Sequence, residues 1–407
     1  MKLLFDFITL RKKTGAGEYI RRIFSEVIRK VESEHLPIEV YAIYDSSTPI
    51  VYSDMQKSAL SKVKFLDVCG ENISQLIKKN QIDRFFIGCA QYIGEYAEAC
   101  DIDCEVICVV HDLSYEEMYY NKTGLLYKLL DESAEEPPKL TWKEKVKKLF
   151  FPHTHYDRFS KWYVNEGGNM SFAYTLNWMR TIMKLYRFNP LFQFVAVSDY
   201  TKSSMMYYFD VPSEKIKVLY SPERIIKCNE KIENSRLYKI IEEKRKYYLL
   251  VSAHAMTKNA VKAIRAFQKY CRMFPDSFLL TLGYGKEEYE NHIDLPFLSD
   301  GDLGNAHAHC YALLYPSFFE GFGYPPIEAM HYGKPVLCSN ATSMPYILGD
   351  APIYFSPLYE SAIFNALGSL TNEKYIHYCE KSRIQYTLIH ERQEKDLRTI
   401  VNMIIGT

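Results

Sequence analysis

"ALLYPSFFEGFGYPPIEAMHYGKPVLCS", residues 312–339, holds in one run the alternation on which the fold depends. "ALLYPS" is a short apolar run of the kind buried in a parallel sheet, and "PVLCS" is a second. Between them, Pro325 and Pro326 suit the first turn of a helix, where a missing N–H has no intrahelical partner to lose. Gly333 suits the residue that ends that helix. The segment reads strand, loop, helix, strand. Glu320 then falls in the loop at a strand end and Glu328 near the helix start, with Gly321 and Gly323 baring the backbone between them.

The same alternation extends in both directions. Towards the N-terminus, "KLLFDFI" (2–8), "IEVYAIY" (38–44), "DRFFIG" (83–88), "EVICVV" (105–110) and "FVAVS" (194–198) are candidate strands separated by helix-period segments. After a mixed, charged stretch from Pro222 to Lys246 come "YYLLVS" (247–252), "FLLTLG" (278–283), "ALLYPS" (312–317), "PVLCS" (335–339) and "PIYF" (352–355). Two series of this kind predict an α/β protein of two Rossmann-like domains facing across a cleft, with the boundary near residue 220. In such sheets ligands sit beyond the carboxyl ends of the strands, so the residues after each strand are where chemistry is expected.

Bulk properties narrow the function. The 407 residues are 47% hydrophobic and 25% charged, enough for two packed domains and too apolar for disorder. Lys plus Arg (50) balances Asp plus Glu (50), so no global field draws the chain to nucleic acid. The ten cysteines are scattered singly and mostly within apolar runs, which reads as buried reduced thiols in a cytoplasmic protein. Cys100 and Cys104 lack a second close pair, and His307, His309 and Cys310 lack a distant partner set, so no metal site is expected. "MKLLFDFITLRKK" carries Asp6 within its apolar run and its basic residues after it, the pattern of a first strand and not of a signal peptide. No stretch reaches the roughly 18 apolar residues of a membrane-spanning helix.

What would be held beside Glu320 and Glu328? Carboxylates repel phosphate yet accept strongly from hydroxyls, while free N–H groups at a helix start favour an anion. A polyol carrying phosphate, a nucleotide sugar, reconciles the two demands. The plainer alternative is that Glu328 complements the helix dipole and Glu320 caps the helix.

The run "PSFFEGFGYPPIEAMHYGKPVLCSNATSMPYILGDAPIYFSP" closely resembles the donor-site signature of glycosyltransferase family 4, whose members have the GT-B fold and carry two glutamates separated by seven residues. "TGAGEYI" (14–20), "VVHDLSY" (109–115) and "YYLLVSAHAMTKNAVKAIRAF" (247–267) fall in the family's order, and "LLTLGYG" and "VAVSDYTKSSM" also fit. The resemblance implies a retaining glycosyltransferase that moves a hexose from a nucleoside diphosphate sugar to a saccharide or lipid-linked saccharide acceptor, with GDP-mannose the first donor to consider and UDP-sugars next. Bacterial surface polysaccharide synthesis is the setting it points to. It assigns His111, Glu320 and Lys258 to catalysis, and Gly15, Gly17, Lys258, Gly321, Phe322, Gly323 and Glu328 to the donor. In relatives the matching histidine lies against the transferred sugar and the matching lysine meets the diphosphate. No cofactor or metal is required by this design.

One departure stands out. Many relatives carry an arginine five positions before the lysine, where this chain has Ala253. His254, Arg265 and Lys202 are candidate replacements, and Asp112 is a further candidate beside His111. The missing arginine motivates the alternative of a catalytically weak or inactive relative acting as a partner protein.

The expected domains are 1–220 for the acceptor, 221–385 for the donor, and a terminal helix, 386–407, packing back on the first domain. Residues 115–190 fit the family least and read as an insertion shaping the acceptor site, with an aromatic run that includes Tyr156, Phe159, Trp162, Tyr163, Phe172, Tyr174 and Trp178. Within it, "WKEKVKKLFF" (142–151) sets four lysines beside four large apolar residues, a composition suited to peripheral contact with an anionic membrane surface.

Overall fold

The computed structural model describes residues 1–11, 14–48, 50, 60–93, 102–114, 117, 142, 172–224, 226–286 and 288–407. These form two compact units. One gathers the described residues up to Pro222 together with Gln393–Thr407, and the other spans Glu223–Arg392. Tyr156, Phe159, Trp162 and Tyr163 of the aromatic run and, Trp142 apart, the basic stretch 142–151 lie outside the described residues, whereas Phe172, Tyr174 and Trp178 fall on a helix, 172–188, with Trp178 buried in the apolar core of the first unit.

The first unit is built on seven parallel strands: β1 (Lys2–Asp6), β2 (Glu39–Tyr44), β3 (Lys64–Asp67), β4 (Arg84–Ile87), β5 (Glu105–Val110), β6 (Phe192–Ala196) and β7 (Ile216–Val218), in the order β3-β2-β1-β4-β5-β6-β7. Among its helices are α1 (Gly15–Ser33), α2 (Ile73–Asn80), α3 (Ala90–Ile93), α4 (Phe172–Phe188) and α5 (Asp199–Phe209). The interior strands are buried on both faces, which is why β1, β4 and β5 read as unbroken apolar runs. Residues from β4 and β5, among them Phe85, Val106 and Cys108, pack with Ile73, Leu76 and Ile77 of α2 in one apolar core.

The second unit repeats the design with six parallel strands: β8 (Lys246–Leu250), β9 (Ser277–Leu282), β10 (His292–Leu295), β11 (Ala312–Tyr315), β12 (Val336–Ser339) and β13 (Ile353–Phe355), in the order β10-β9-β8-β11-β12-β13. Its helices are α6 (Ser235–Glu242), α7 (Ala260–Cys271), α8 (Asp300–His309), α9 (Tyr324–His331), α10 (Met344–Leu348) and α11 (Glu360–Ser369). A long helix, α12 (Asn372–Ile405), closes the chain. Its final turns join the first unit, where Arg84 Nη1 donates to the carbonyls of Met403 (2.9 Å) and Ile404 (2.7 Å), and Tyr220 N donates to Asp396 Oδ2 at 2.9 Å.

Strand order places the sites. In the second sheet the winding direction reverses between β8 and β11, so the loops leaving those two strands diverge and open a crevice at their carboxyl ends. The corresponding reversal in the first sheet lies between β1 and β4.

Candidate functional site

The loops that leave β8 and β11 carry Lys258 and Glu320. Lys258 ends a 3-10 turn, Met256–Lys258, just before α7. Asn259 follows in a left-handed conformation (φ 56°) and is buried, its Nδ2 donating to the carbonyls of Pro316 (3.1 Å) and Pro357 (2.9 Å). The first bond clamps the β8 loop to the β11 loop, and the second ties it to the segment after β13. Thr257 O reinforces the clamp by accepting from Phe318 N at 2.8 Å and Ser317 Oγ at 3.0 Å.

With the backbones joined, Lys258 Nζ forms an ion pair with Glu320 Oε1 and donates to Tyr315 Oη at 3.1 Å. Ser317 Oγ donates to the same Glu320 oxygen at 2.5 Å. The loop carrying Glu320 is held from its other side, where Glu320 N donates to Thr342 Oγ1 (3.0 Å) and Ser343 Oγ donates to Glu320 O (2.8 Å). The lysine and glutamate side chains retain 18% and 11% exposure, so the pair is sheltered but reachable. Tyr315 is fully enclosed, and burial, reinforced by the Glu320 charge, drives its phenol far above the ordinary range.

Gly321, Phe322 and Gly323 continue from Glu320. Phe322 is buried, and Gly323 sits at φ 80°, where a Cβ would meet Met344 Cε at 2.3 Å. A glycine is required there twice over, by conformation and by space. α9 starts next, with Pro325 and Pro326 in its first turn and Gly333 at φ 64° just past its end. Glu328 lies on the buried face of this helix at 5% side-chain exposure. Its partners differ from those of the Lys258–Glu320 pair: Arg224 Nη1 lies 3.5 Å from Oε1 and His307 Nε2 3.3 Å from Oε2.

His254 is exposed beside Lys258, its ring edge-on to Phe297 at 5.1 Å, and burial and the Lys258 charge lower its pKa. Ala253 is buried. Arg265 lies on α7 with Nη1 3.6 Å from Glu360 Oε1.

The remaining candidates belong to the first unit. Gly15 and Gly17 open α1, capped by Thr14, whose Oγ1 accepts from Gly17 N at 3.1 Å. One turn on, Tyr19 meets His111 edge to face at 4.9 Å, so the glycine turn and the histidine are brought together. His111 Nε2–H donates to Gly88 O at 3.0 Å, and burial lowers its pKa, favouring the neutral imidazole. Asp112 is turned to its own loop, accepting from Ser114 Oγ at 2.7 Å and Ser114 N at 3.1 Å. Lys202 lies in the first turns of α5; its neighbour Thr201 donates through Oγ1 to His111 O at 3.2 Å.

Sequence reasoning assigned no role to Ser317, Thr342, Ser343, Arg224 or Glu117. Only Ser317 carried a local signal, three residues before Glu320. Glu117 is a buried carboxylate accepting from Tyr200 Oη (2.5 Å) and Ser204 Oγ (2.7 Å), and burial raises its pKa. Among the described residues, no cluster of three or more His, Cys, Asp or Glu could hold a metal ion, and no helix is long and apolar enough to cross a membrane.

Residues 232–357, which include Lys258, Glu320 and Glu328, match the family model described as glycosyl transferases group 1. The chain is 31% identical over 189 residues to the O-antigen chain mannosyltransferase RfbU of Salmonella typhimurium, covering 42% of this chain and 50% of that one. It is 28% identical over 185 residues to O-antigen chain mannosyltransferase B of Escherichia coli, covering 40% and 47%. The chain thus spans about half the length of the curated relatives it matches. Among solved structures, HepE of Anabaena, in complex with UDP and glucose, superposes with a TM-score of 0.63 at 13% identity over 100% of both chains. WaaG, a glycosyltransferase involved in lipopolysaccharide biosynthesis, does so with a TM-score of 0.58 at 15% identity, again over 100% of both. The fold is GT-B.

Proposed function

We propose that the chain is a retaining hexosyltransferase that uses a nucleoside diphosphate sugar, GDP-mannose first and UDP-sugars next, and transfers to a saccharide or lipid-linked saccharide in bacterial surface polysaccharide assembly. The observation that carries the reading is the Lys258–Glu320 ion pair at the β8/β11 reversal. Each member of the pair can change partners when such a donor arrives. The diphosphate takes the ammonium, and the freed carboxylate accepts from a sugar hydroxyl. Catalysis then rests on positioning and on neutralising the negative charge that grows on the departing diphosphate, supplied by Lys258 and by the amides of the Gly321–Gly323 loop. Glu328 is assigned to the ribose hydroxyls, and Gly15, Gly17 and His111 to the transfer step.

The likeness to two O-antigen chain mannosyltransferases supports mannose as the first sugar to test. The decisive experiment incubates the full chain with GDP-mannose, UDP-glucose, UDP-N-acetylglucosamine and an ADP-sugar and follows nucleotide release. Turnover with one donor in preference to the rest is expected. No binding and no release with any donor would overturn the reading in favour of an inactive partner protein, the outcome for which Ala253 is the motive.

A further inference from the structure

Glu328 is a carboxylate buried on α9, and its two oxygens meet different surroundings. Oε1 faces Arg224, whose side chain is 27% exposed and whose Nη2 is tied to Asp300 Oδ1 at 2.8 Å. Oε2 faces inward to His307, whose side chain is 0% exposed. Among the described residues, neither nitrogen of that imidazole has a partner in hydrogen-bond geometry, although Nε2 lies 3.3 Å from Oε2. A fully buried polar ring without a formed hydrogen bond is a costly arrangement unless another state completes it.

The backbone around His307 is fixed independently of Glu328. Tyr247 Oη donates to Ala306 O at 2.7 Å, Asn305 Nδ2 donates to Asn229 O at 3.1 Å, and a Cβ on Gly304 would lie 2.9 Å from the Lys227 carbonyl carbon. α8 therefore sits directly against the 227–229 backbone. These contacts hold the backbone that carries His307 without involving Glu328.

We propose that His307 is the positioning residue for Glu328: its Nε2–H donates to Oε2 when ligand binds, turning Oε1 outward to accept from the vicinal hydroxyls of a nucleotide ribose. The ligand displaces the long Arg224 contact, and the inner hydrogen bond prevents the carboxylate from rotating with it. This inference rests on the reading of Glu328 as the ribose residue. His307 touches no ligand itself.

The test compares dissociation constants, by calorimetry on the full chain, for GDP, UDP and ADP and for their 2′,3′-dideoxy counterparts. The wild-type protein is expected to prefer the ribonucleotide by at least about tenfold, and Glu328→Ala to abolish the preference. His307→Phe should shrink it at least threefold while leaving the dideoxynucleotide affinity within about twofold of wild type. His307→Gln, which restores an N–H donor, should recover most of it. A purely structural role would weaken both nucleotides together, and that result, or an unchanged preference in His307→Phe, overturns the proposal. Should His307→Phe fail to fold, His307→Gln decides against His307→Leu by the same ratio. Equal binding of ribo- and dideoxynucleotides by the wild-type protein would remove the ribose assignment of Glu328 and this inference with it, while nucleotide release could still stand.

Discussion

At the carboxyl end of the second sheet Lys258 and Glu320 meet as an ion pair, whereas at the carboxyl end of the first, burial pushes Asp6, Glu117 and His111 towards their neutral forms. The two sheets share a winding plan, so the contrast comes from side chains and not from topology. In the second unit, hydroxyls of Ser317 and Tyr315 and an opposite charge sit around each ion. In the first, desolvation dominates, and hydrogen bonds such as Thr9 Oγ1 to Asp6 Oδ2 (2.7 Å) offset it only in part. One end pairs opposite charges beside hydroxyls; at the other, burial disfavours the charged forms.

The largest expected break in this contrast is Lys258→Ala. Removing the ammonium that pairs with Glu320 should lower donor turnover by about 10²–10³-fold, measured as nucleotide release. A loss smaller than about fivefold would mean that the pair is structural. The next concerns the first unit. Asp6 has its pKa raised from 3.8 to about 6 by complete burial. Its folded form therefore holds the proton more tightly than the unfolded form does. That contribution is complete below about pH 4 and is lost as pH rises through 6, by up to about 3 kcal/mol. Asp6→Asn should remove this slope, so its urea midpoint should vary less between pH 4.5 and 7 than the wild-type midpoint.

The two glutamates should then separate. Glu328→Ala is expected to weaken nucleotide binding by roughly 1.5–3 kcal/mol, while Glu320→Ala lowers turnover more than it lowers affinity for free nucleotide. Identical calorimetric profiles for the two variants would erase the distinction. The smallest effect is set for His111→Ala, a loss of transfer on the order of tenfold with nucleotide affinity preserved. Full activity in that variant would leave the first unit without a proven part in the reaction.

Interior strands were legible because burial on both faces writes an apolar run. All ten strands read from the sequence are present, with no end shifted by more than two residues. The three that went unread, β3 ("KFLD"), β7 ("IKV") and β10 ("HIDL"), are all sheet edges. An edge strand is covered on fewer sides, so it keeps polar and charged residues and its signature fades into the loops. The same logic explains the site. Glu320, Lys258 and the glycines announce themselves through position after a strand. His307 stood out in the sequence only beside His309 and Cys310, in a metal pattern that lacked partners, and Arg224 not at all.

The sequence alone determined where the chain alternates between strand and helix, and that Lys258, Glu320 and Glu328 each follow a strand on a loop or helix start. Those are local properties, set by apolar period, proline and glycine. Tertiary structure decided that β8 lies beside β11, which brings Lys258 onto Glu320 across 62 residues, and that α8 delivers a buried imidazole to one oxygen of Glu328. Strand order and helix packing depend on contacts between residues remote along the chain, and periodicity carries no record of them.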